Sequence, residues 1–279
     1  YAGYFYDGGP LTLEQTIDKA AACGYEGVEV MAKRPIASPF DIDTDRAKAI
    51  RDHAAARNIT LPFVAGYIDL SKPNASDREK ELVFARETMR LASDLGSPYV
   101  RVYAGGEKIH DGAPIVDQWW WCVGHIKELV PVARDFGVQI ALEVHTGSAQ
   151  NADALLDMLD QIDSDEVKVC LDPVNMIHMG NYFRTTELIE ECFDLLSNHI
   201  VGAHAKDSLT LPNRMSMYMT EVPPGKGVVD YESYLSGLSR LKKPVALIIE
   251  HIPDDQYAGA KKFIEDTAAR IGVSFYKTV

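Results

Sequence analysis

Cysteine is scarce in this chain of 279 residues: Cys23, Cys122, Cys170 and Cys192 stand far apart and none belongs to a CxxC pair. Such spacing offers neither a disulfide framework nor a thiolate metal site, so reduced packing cysteines in a cytoplasmic protein are expected. Long apolar runs are also missing. No stretch approaches the ~18 uninterrupted apolar residues of a membrane span, and the N-terminus lacks the basic-then-apolar pattern of a signal peptide. Basic residues are few, 28 against 41 acidic ones, which leaves a net charge of −13. A field of that sign repels phosphate backbones and argues against nucleic acid as a partner. No glycine-rich phosphate cradle is found, so a phosphorylated substrate is not favoured. No Gly/Ser/Pro-rich linker divides the chain, and residues 1–279 are expected to form one domain.

What is present is an alternation. Short Val- and Ile-rich runs occur at 4–6, 27–31, 59–66, 99–105, 138–145, 167–173, 200–206 and 245–251, and each is followed by a stretch of helical period. Thr12 with Gln15 three residues on has the pattern of a capping box for the first helix, which would close on Gly24. Strands alternating with helices imply βαβ units and parallel pairing, and eight such units in this length close into a single (β/α)8 TIM barrel. The longest irregular stretch is 209–227, a length that usually marks a lid or a binding wall.

Residues 141–147, ALEVHTG, carry an anomaly: Glu143 and His145 on what should be an apolar buried strand. A buried ionised carboxylate costs several kcal/mol, order of magnitude, unless something compensates it. Strand alternation assigns Ile140, Leu142 and Val144 to the helix layer and turns Ala141, Glu143 and His145 inward. The same parity turns Asp172, His204 with Lys206, and Glu250 inward at the ends of the next three strands. Three carboxylates around one imidazole would repel one another without a cation. An oxygen-rich set with one nitrogen suits a divalent ion, Mn²⁺ first and Mg²⁺ or Co²⁺ next.

The ordered motifs EVHTG, LDPVN, GAHAKD, PPGKGVVDYESYL and ALIIEH resemble the xylose isomerase-like barrel superfamily, most densely over residues 138–251. That superfamily includes sugar isomerases, ketose 3-epimerases, inosose dehydratases, apurinic endonucleases and catalytic subunits of C-glycoside deglycosidases. The resemblance implies that Glu143, Asp172, His204 and Glu250 bind one divalent metal, with Glu143 and Glu250 doubling as acid/base groups. A metal holding adjacent carbonyl and hydroxyl oxygens stabilises an enediolate. The expected activity is therefore a metal-dependent isomerase or epimerase acting on a keto sugar or polyol. A lyase on the same site is the alternative, either C-glycoside cleavage of a 3-keto sugar or an inosose-type dehydration. Ketose 3-epimerases carry a histidine three residues after the metal aspartate and an arginine six after the metal histidine. Here those positions hold Asn175, with His178 three further on, and Thr210.

His145 is an additional candidate base, and Tyr103, Asn175, His178 and Lys206 are candidate substrate contacts. Arg101 and Glu29 are also inward by parity. Asp207 is read as either a substrate contact or a surface ion pair, and Lys226 as a possible phosphate contact that needs no function. Trp119, Trp120 and Trp121 lie on one helix and spread around it, so at least one is expected off its core face. The methionine-rich RMSMYMTE, 214–221, suits an apolar aglycone, a partner chain or loop packing. Association into a homo- or hetero-oligomer is expected by analogy with such barrels.

Overall fold

The computed structural model describes residues 1–3, 5, 6, 9–211 and 218–276. Phe5–Tyr6 (β1) and Gly9–Pro10 (β2) form a small antiparallel pair. The barrel strands β3 (Val30–Met31), β4 (Phe63–Ile68), β5 (Tyr99–Lys108), β6 (Gln139–Thr146), β7 (Val167–Leu171) and β8 (Ile200–Ala205) follow in order. After β8 come the hairpin strands β9 (Asp207–Thr210) and β10 (Met219–Val222), and then the last barrel strand, β11 (Ala246–Ile249). β3 to β8 and β11 form one seven-stranded parallel sheet in sequential order. The helices α1 (Leu13–Ala22), α2 (Thr44–Ala55), α3 (Ala75–Leu95), α4 (Ile115–Phe136), α5 (Ala152–Ile162), α6 (Thr185–Leu196), α7 (Tyr231–Ser239) and α8 (Tyr257–Arg270) cover its outer face.

The eighth stave is not the expected 4–6. Residues 1–3 lie there instead: Ala2 N–H donates to Ile249 O at 3.2 Å and Glu29 N–H to Tyr1 O at 3.0 Å, bridging the two ends of the sheet. The Phe5–Tyr6 segment pairs instead with Gly9–Pro10, where Pro10, which has no N–H, suits a short edge ribbon outside the barrel sheet. The stretch 209–227 is likewise not wholly irregular, since the β9–β10 hairpin occupies part of it. Residues 212–217, with much of RMSMYMTE, lie outside the described residues.

Local signals hold where they depend on a few atoms. Thr12 and Gln15 form the reciprocal capping box of α1. On α4, Trp119 packs toward the core, Trp121 lies under the Arg78 guanidinium and Trp120 is exposed. Cys122, Cys170 and Cys192 are buried free thiols, whereas Cys23, at the end of α1, is exposed rather than packed.

Strand alternation divides the interior into two cores. Val64, Val100, Val102, Ile140, Leu142, Val144, Ala203 and Ile249 belong to the large core beneath the helices. Phe63, Ala141, Cys170 and Ile248 form a separate plug inside the barrel. Gly202 makes room for the plug, because a Cβ there would lie 2.2 Å from Phe63 Cζ. Phe63 in turn stacks on Tyr99 with ring centroids 5.0 Å apart. The plug seals the lower barrel and leaves the polar side chains at the carboxyl ends of the strands.

Gly202→Ala is therefore expected to destabilise the fold by about 1–3 kcal/mol through overpacking. A Cβ at Gly124, on an exposed part of α4, meets nothing within 4 Å, so Gly124→Ala should gain about 0.5–1 kcal/mol. Urea unfolding of the two variants checks the contrast.

Candidate metal centre

Four side chains meet above the plug. Tyr103 on β5 pairs in register with Glu143 on β6, and Ile248 on β11 with His204 on β8, which sets these inward residues at matched heights. Glu143, Asp172, His204 and Glu250 are all buried, and one ligand atom of each lies within 4.8 Å of the others. Their backbone is held from outside the barrel. Tyr234 of α7 donates its hydroxyl to His204 O at 2.9 Å, and the Tyr231 hydroxyl donates to Lys206 O at 2.8 Å.

The donor atoms face one another. His204 Nδ1 is 2.8 Å from Glu143 Oε1, 3.3 Å from Glu250 Oε1 and 3.6 Å from Asp172 Oδ2. Its other nitrogen, Nε2, lies 3.4 Å from Glu29 Oε1, the arrangement by which a carboxylate orients a metal-ligating imidazole. Asp172 Oδ1 accepts Val174 N–H at 3.0 Å, which turns Oδ2 to the centre. Asp172 Oδ2 and His204 Nδ1 are buried and form no well-directed hydrogen bond, although the Lys206 ammonium lies 2.9 Å from Asp172 Oδ2. Three buried carboxylates around one imidazole need positive charge among them, and the four residues fit a divalent ion.

Two buried cations compensate the surrounding charge. The Arg101 guanidinium binds Glu143 Oε2 through Nη1 and lies 3.3 Å from Glu29 Oε1 through Nε. Lys206 Nζ is 2.9 Å from each of Asp172 Oδ2, Glu250 Oε1 and Glu221 Oε1. Burial pushes the Asp172 carboxyl up, but the Lys206 ammonium and His204 outweigh it and hold it at about 2. Burial likewise opposes ionisation of Glu250, and His204 and Lys206 hold it well below its ordinary range. For His204, burial opposes a charge, yet Cys170 and the Glu250, Glu143 and Glu29 carboxylates raise it well above the usual imidazole range. A proton there is the cation that a metal ion would replace.

The remaining expected residues lie at different distances from this cluster. His145 is half-buried, stacks obliquely on Tyr103 at 5.1 Å, and meets Glu107 O through Nδ1 at 2.7 Å. Tyr103 is buried beside it. Asn175 donates its amide to Val144 O at 3.0 Å and toward Glu143 Oε1 at 3.5 Å. His178 is exposed, with Nδ1 accepting Gly180 N–H at 3.0 Å. Lys206 is buried among carboxylates. Asp207 is neither a surface ion pair nor at the mouth, since it accepts backbone N–H groups of Ser208, Gly225, Gly227 and Val229 and organises the PPGKG turn.

Two site residues escape the sequence reading. Glu221 reaches Lys206 from β10, and its Oε2 lies 3.0 Å from His251 Nδ1. Parity turns His251 outward, but its φ of +55° swings the ring back beside Glu250. A cavity of about 370 Å³, lined by Tyr25, Thr60, Pro62, Leu238 and Phe275, involves none of the four ligand residues.

The sequence pattern described as xylose isomerase-like TIM barrel matches residues 17–277. The chain belongs to the xylose isomerase-like TIM barrel family. Solved structures share this fold at low identity. The IOLI protein with a bound zinc atom is 16% identical, with 96% of this chain and 95% of that one covered and a TM-score of 0.76. D-psicose 3-epimerase from Clostridium cellulolyticum H10, solved with D-tagatose, is 16% identical over 97% and 96%, with a TM-score of 0.71. The probable 3-DHS dehydratase AsbF from Bacillus anthracis is 16% identical over 91% and 92%, with a TM-score of 0.68. Among the described residues no helix is long and apolar enough to cross a membrane.

Removing Arg101 would leave Glu29 and Glu143 without their shared counter-charge. Arg101→Leu should destabilise the protein by about 3–5 kcal/mol at pH 7. Burial raises the Glu29 carboxyl, but Arg101 and His204 outweigh it and hold Glu29 below its ordinary range. Its contribution is thus present at neutral pH and lost as pH falls toward the folded-state value. Urea unfolding at pH 7 and pH 4.5 should show the gap between wild type and variant narrowing in acid.

Proposed function

We propose that this chain is a divalent-metal-dependent isomerase or epimerase that removes a proton from carbon beside the carbonyl of a keto sugar or oxidised polyol. The observation that carries it is the convergence of one buried ligand atom each from Glu143, Asp172, His204 and Glu250, all within 4.8 Å of one another at the carboxyl ends of adjacent strands. Glu143, Asp172, His204 and Glu250 would hold the ion, Mn²⁺ by the hardness of the set, with Mg²⁺ or Co²⁺ as substitutes. When bound, it would supply Lewis-acid polarisation of neighbouring carbonyl and hydroxyl oxygens.

The protein's own groups divide the remaining work. Arg101 and Asn175 hold the Glu143 carboxylate in one orientation. Glu250 Oε2 faces the His251 side of the mouth at 3.7 Å. At His145 the partner is a carbonyl oxygen, which only accepts, so Nδ1 carries a hydrogen and Nε2 is the nitrogen that can take up a proton. His145 Nε2 is then the base for the carbon-bound proton, with Tyr103 lining its approach. Lys206 would offer its ammonium to a substrate oxygen.

A specific observation favours a second reading. Return of the proton on either face requires two free acid/base groups, whereas Glu143 is clasped by Arg101 and Asn175. A single free base at His145 suits elimination, in which a leaving group departs β to the new carbanion. Asn175 and Thr210 also stand where ketose 3-epimerases have histidine and arginine. The low-identity likeness to both an epimerase and a probable dehydratase is compatible with either outcome.

NMR of keto-sugar and inosose-type substrates incubated in D₂O with Mn²⁺-loaded protein separates them. Deuterium at the carbon beside the carbonyl with an intact skeleton is expected, and loss of water or an aglycone establishes the lyase. His145→Gln should lower kcat by about 10²–10⁴-fold and leave Mn²⁺ affinity unchanged. An unchanged kcat would remove His145 from the chemistry.

A further inference from the structure

We propose that Glu221 is a positioning residue of the metal centre: it holds the Lys206 ammonium so that the lysine and a divalent ion can occupy the mouth together. The inference rests on the reading that Glu143, Asp172, His204 and Glu250 bind such an ion. Two of the three oxygens facing His204 Nδ1 are Asp172 Oδ2 and Glu250 Oε1, and Lys206 Nζ lies 2.9 Å from both. Ion and ammonium therefore compete for the same two atoms, and their like charges repel. Lys206 is 1% exposed, so its ammonium has no ready retreat into water. Of its three carboxylate neighbours only Glu221 lies outside the ligand set.

Glu221 is built for that task from the other side. Its Oε2 is engaged by His251 Nδ1 at 3.0 Å, which leaves Oε1 aimed at Lys206. His251 can do this because its left-handed backbone, φ +55°, turns the ring back over the mouth directly after Glu250. Arg101, the other buried cation, is committed to Glu143 and Glu29. Occupation of the centre transfers Lys206 to Glu221, and because Glu221 sits on β10, that transfer fastens the β9–β10 hairpin at the mouth. Glu221 thus raises metal affinity without ligating the metal.

The test is calorimetric titration of Mn²⁺ into the full chain for wild type, Glu221→Gln, Lys206→Met and the double variant. Glu221→Gln should weaken Mn²⁺ binding tenfold or more. In the Lys206→Met background the same change should alter affinity less than threefold, because no ammonium remains to be held. Unchanged affinity in Glu221→Gln, or an equal loss in both backgrounds, overturns the proposal. A wild type that binds no Mn²⁺ at all overturns the metal reading beneath it, a different result. Amide exchange supplies a readout that does not need the lysine variants. Mn²⁺ should slow exchange at residues 208–210 and 220–222 in wild type but not in Glu221→Gln, and equal slowing in both would contradict the mechanism.

Discussion

Concentrated negative charge inside a low-dielectric barrel is the constraint on which the rest of this molecule turns. Glu29, Glu143, Asp172 and Glu250 are each at most 3% exposed and gather around one imidazole. Charges of that kind are tolerated only when paired or bound to a metal. Much of the interior can be understood as an answer to them. Arg101 serves one side, Lys206 serves the other, and between them the four side chains of Glu143, Asp172, His204 and Glu250 converge on a place that a cation fits. The plug of Phe63, Ala141, Cys170 and Ile248 gives the cluster an apolar floor, and a low-dielectric surrounding strengthens electrostatic contacts.

How the chain achieves this was legible to the extent that strand geometry is rigid. Side chains alternate with period two, so Ile140, Leu142 and Val144 determine where Glu143 points, and Ala203 and Ala205 determine where His204 points. The inward placement of Glu143, Asp172, His204 and Glu250 follows from that rule, as does that of Arg101, Tyr103 and Glu29. The family match over residues 17–277 agrees with the resemblance carried by the same motifs.

The rule fails where the chain leaves regular strands. The barrel's opening stave lies at 1–3 while Phe5–Tyr6 pairs with Gly9–Pro10, a choice of partner that periodicity cannot register. His251 follows a strand whose parity turns it outward, and only its positive φ reverses that. Glu221 sits on a short hairpin strand within a stretch that has no periodic signal, and its partners lie in other elements. Lys206 was expected inward, but its three carboxylate neighbours come from three separate segments, a convergence that belongs to tertiary structure. These are also the residues that would tune the centre, while the ligands themselves stand on or beside the strands.

The central claim is that one divalent ion sits among Glu143, Asp172, His204 and Glu250. Anomalous diffraction at the manganese edge, from crystals of the full chain grown with Mn²⁺, tests it most directly. The account predicts a single strong peak with all four side chains at about 2.0–2.3 Å, the range for oxygen and imidazole ligands of small divalent ions. An absent peak there, or a peak elsewhere while Lys206 still bridges Asp172 and Glu250, would contradict it.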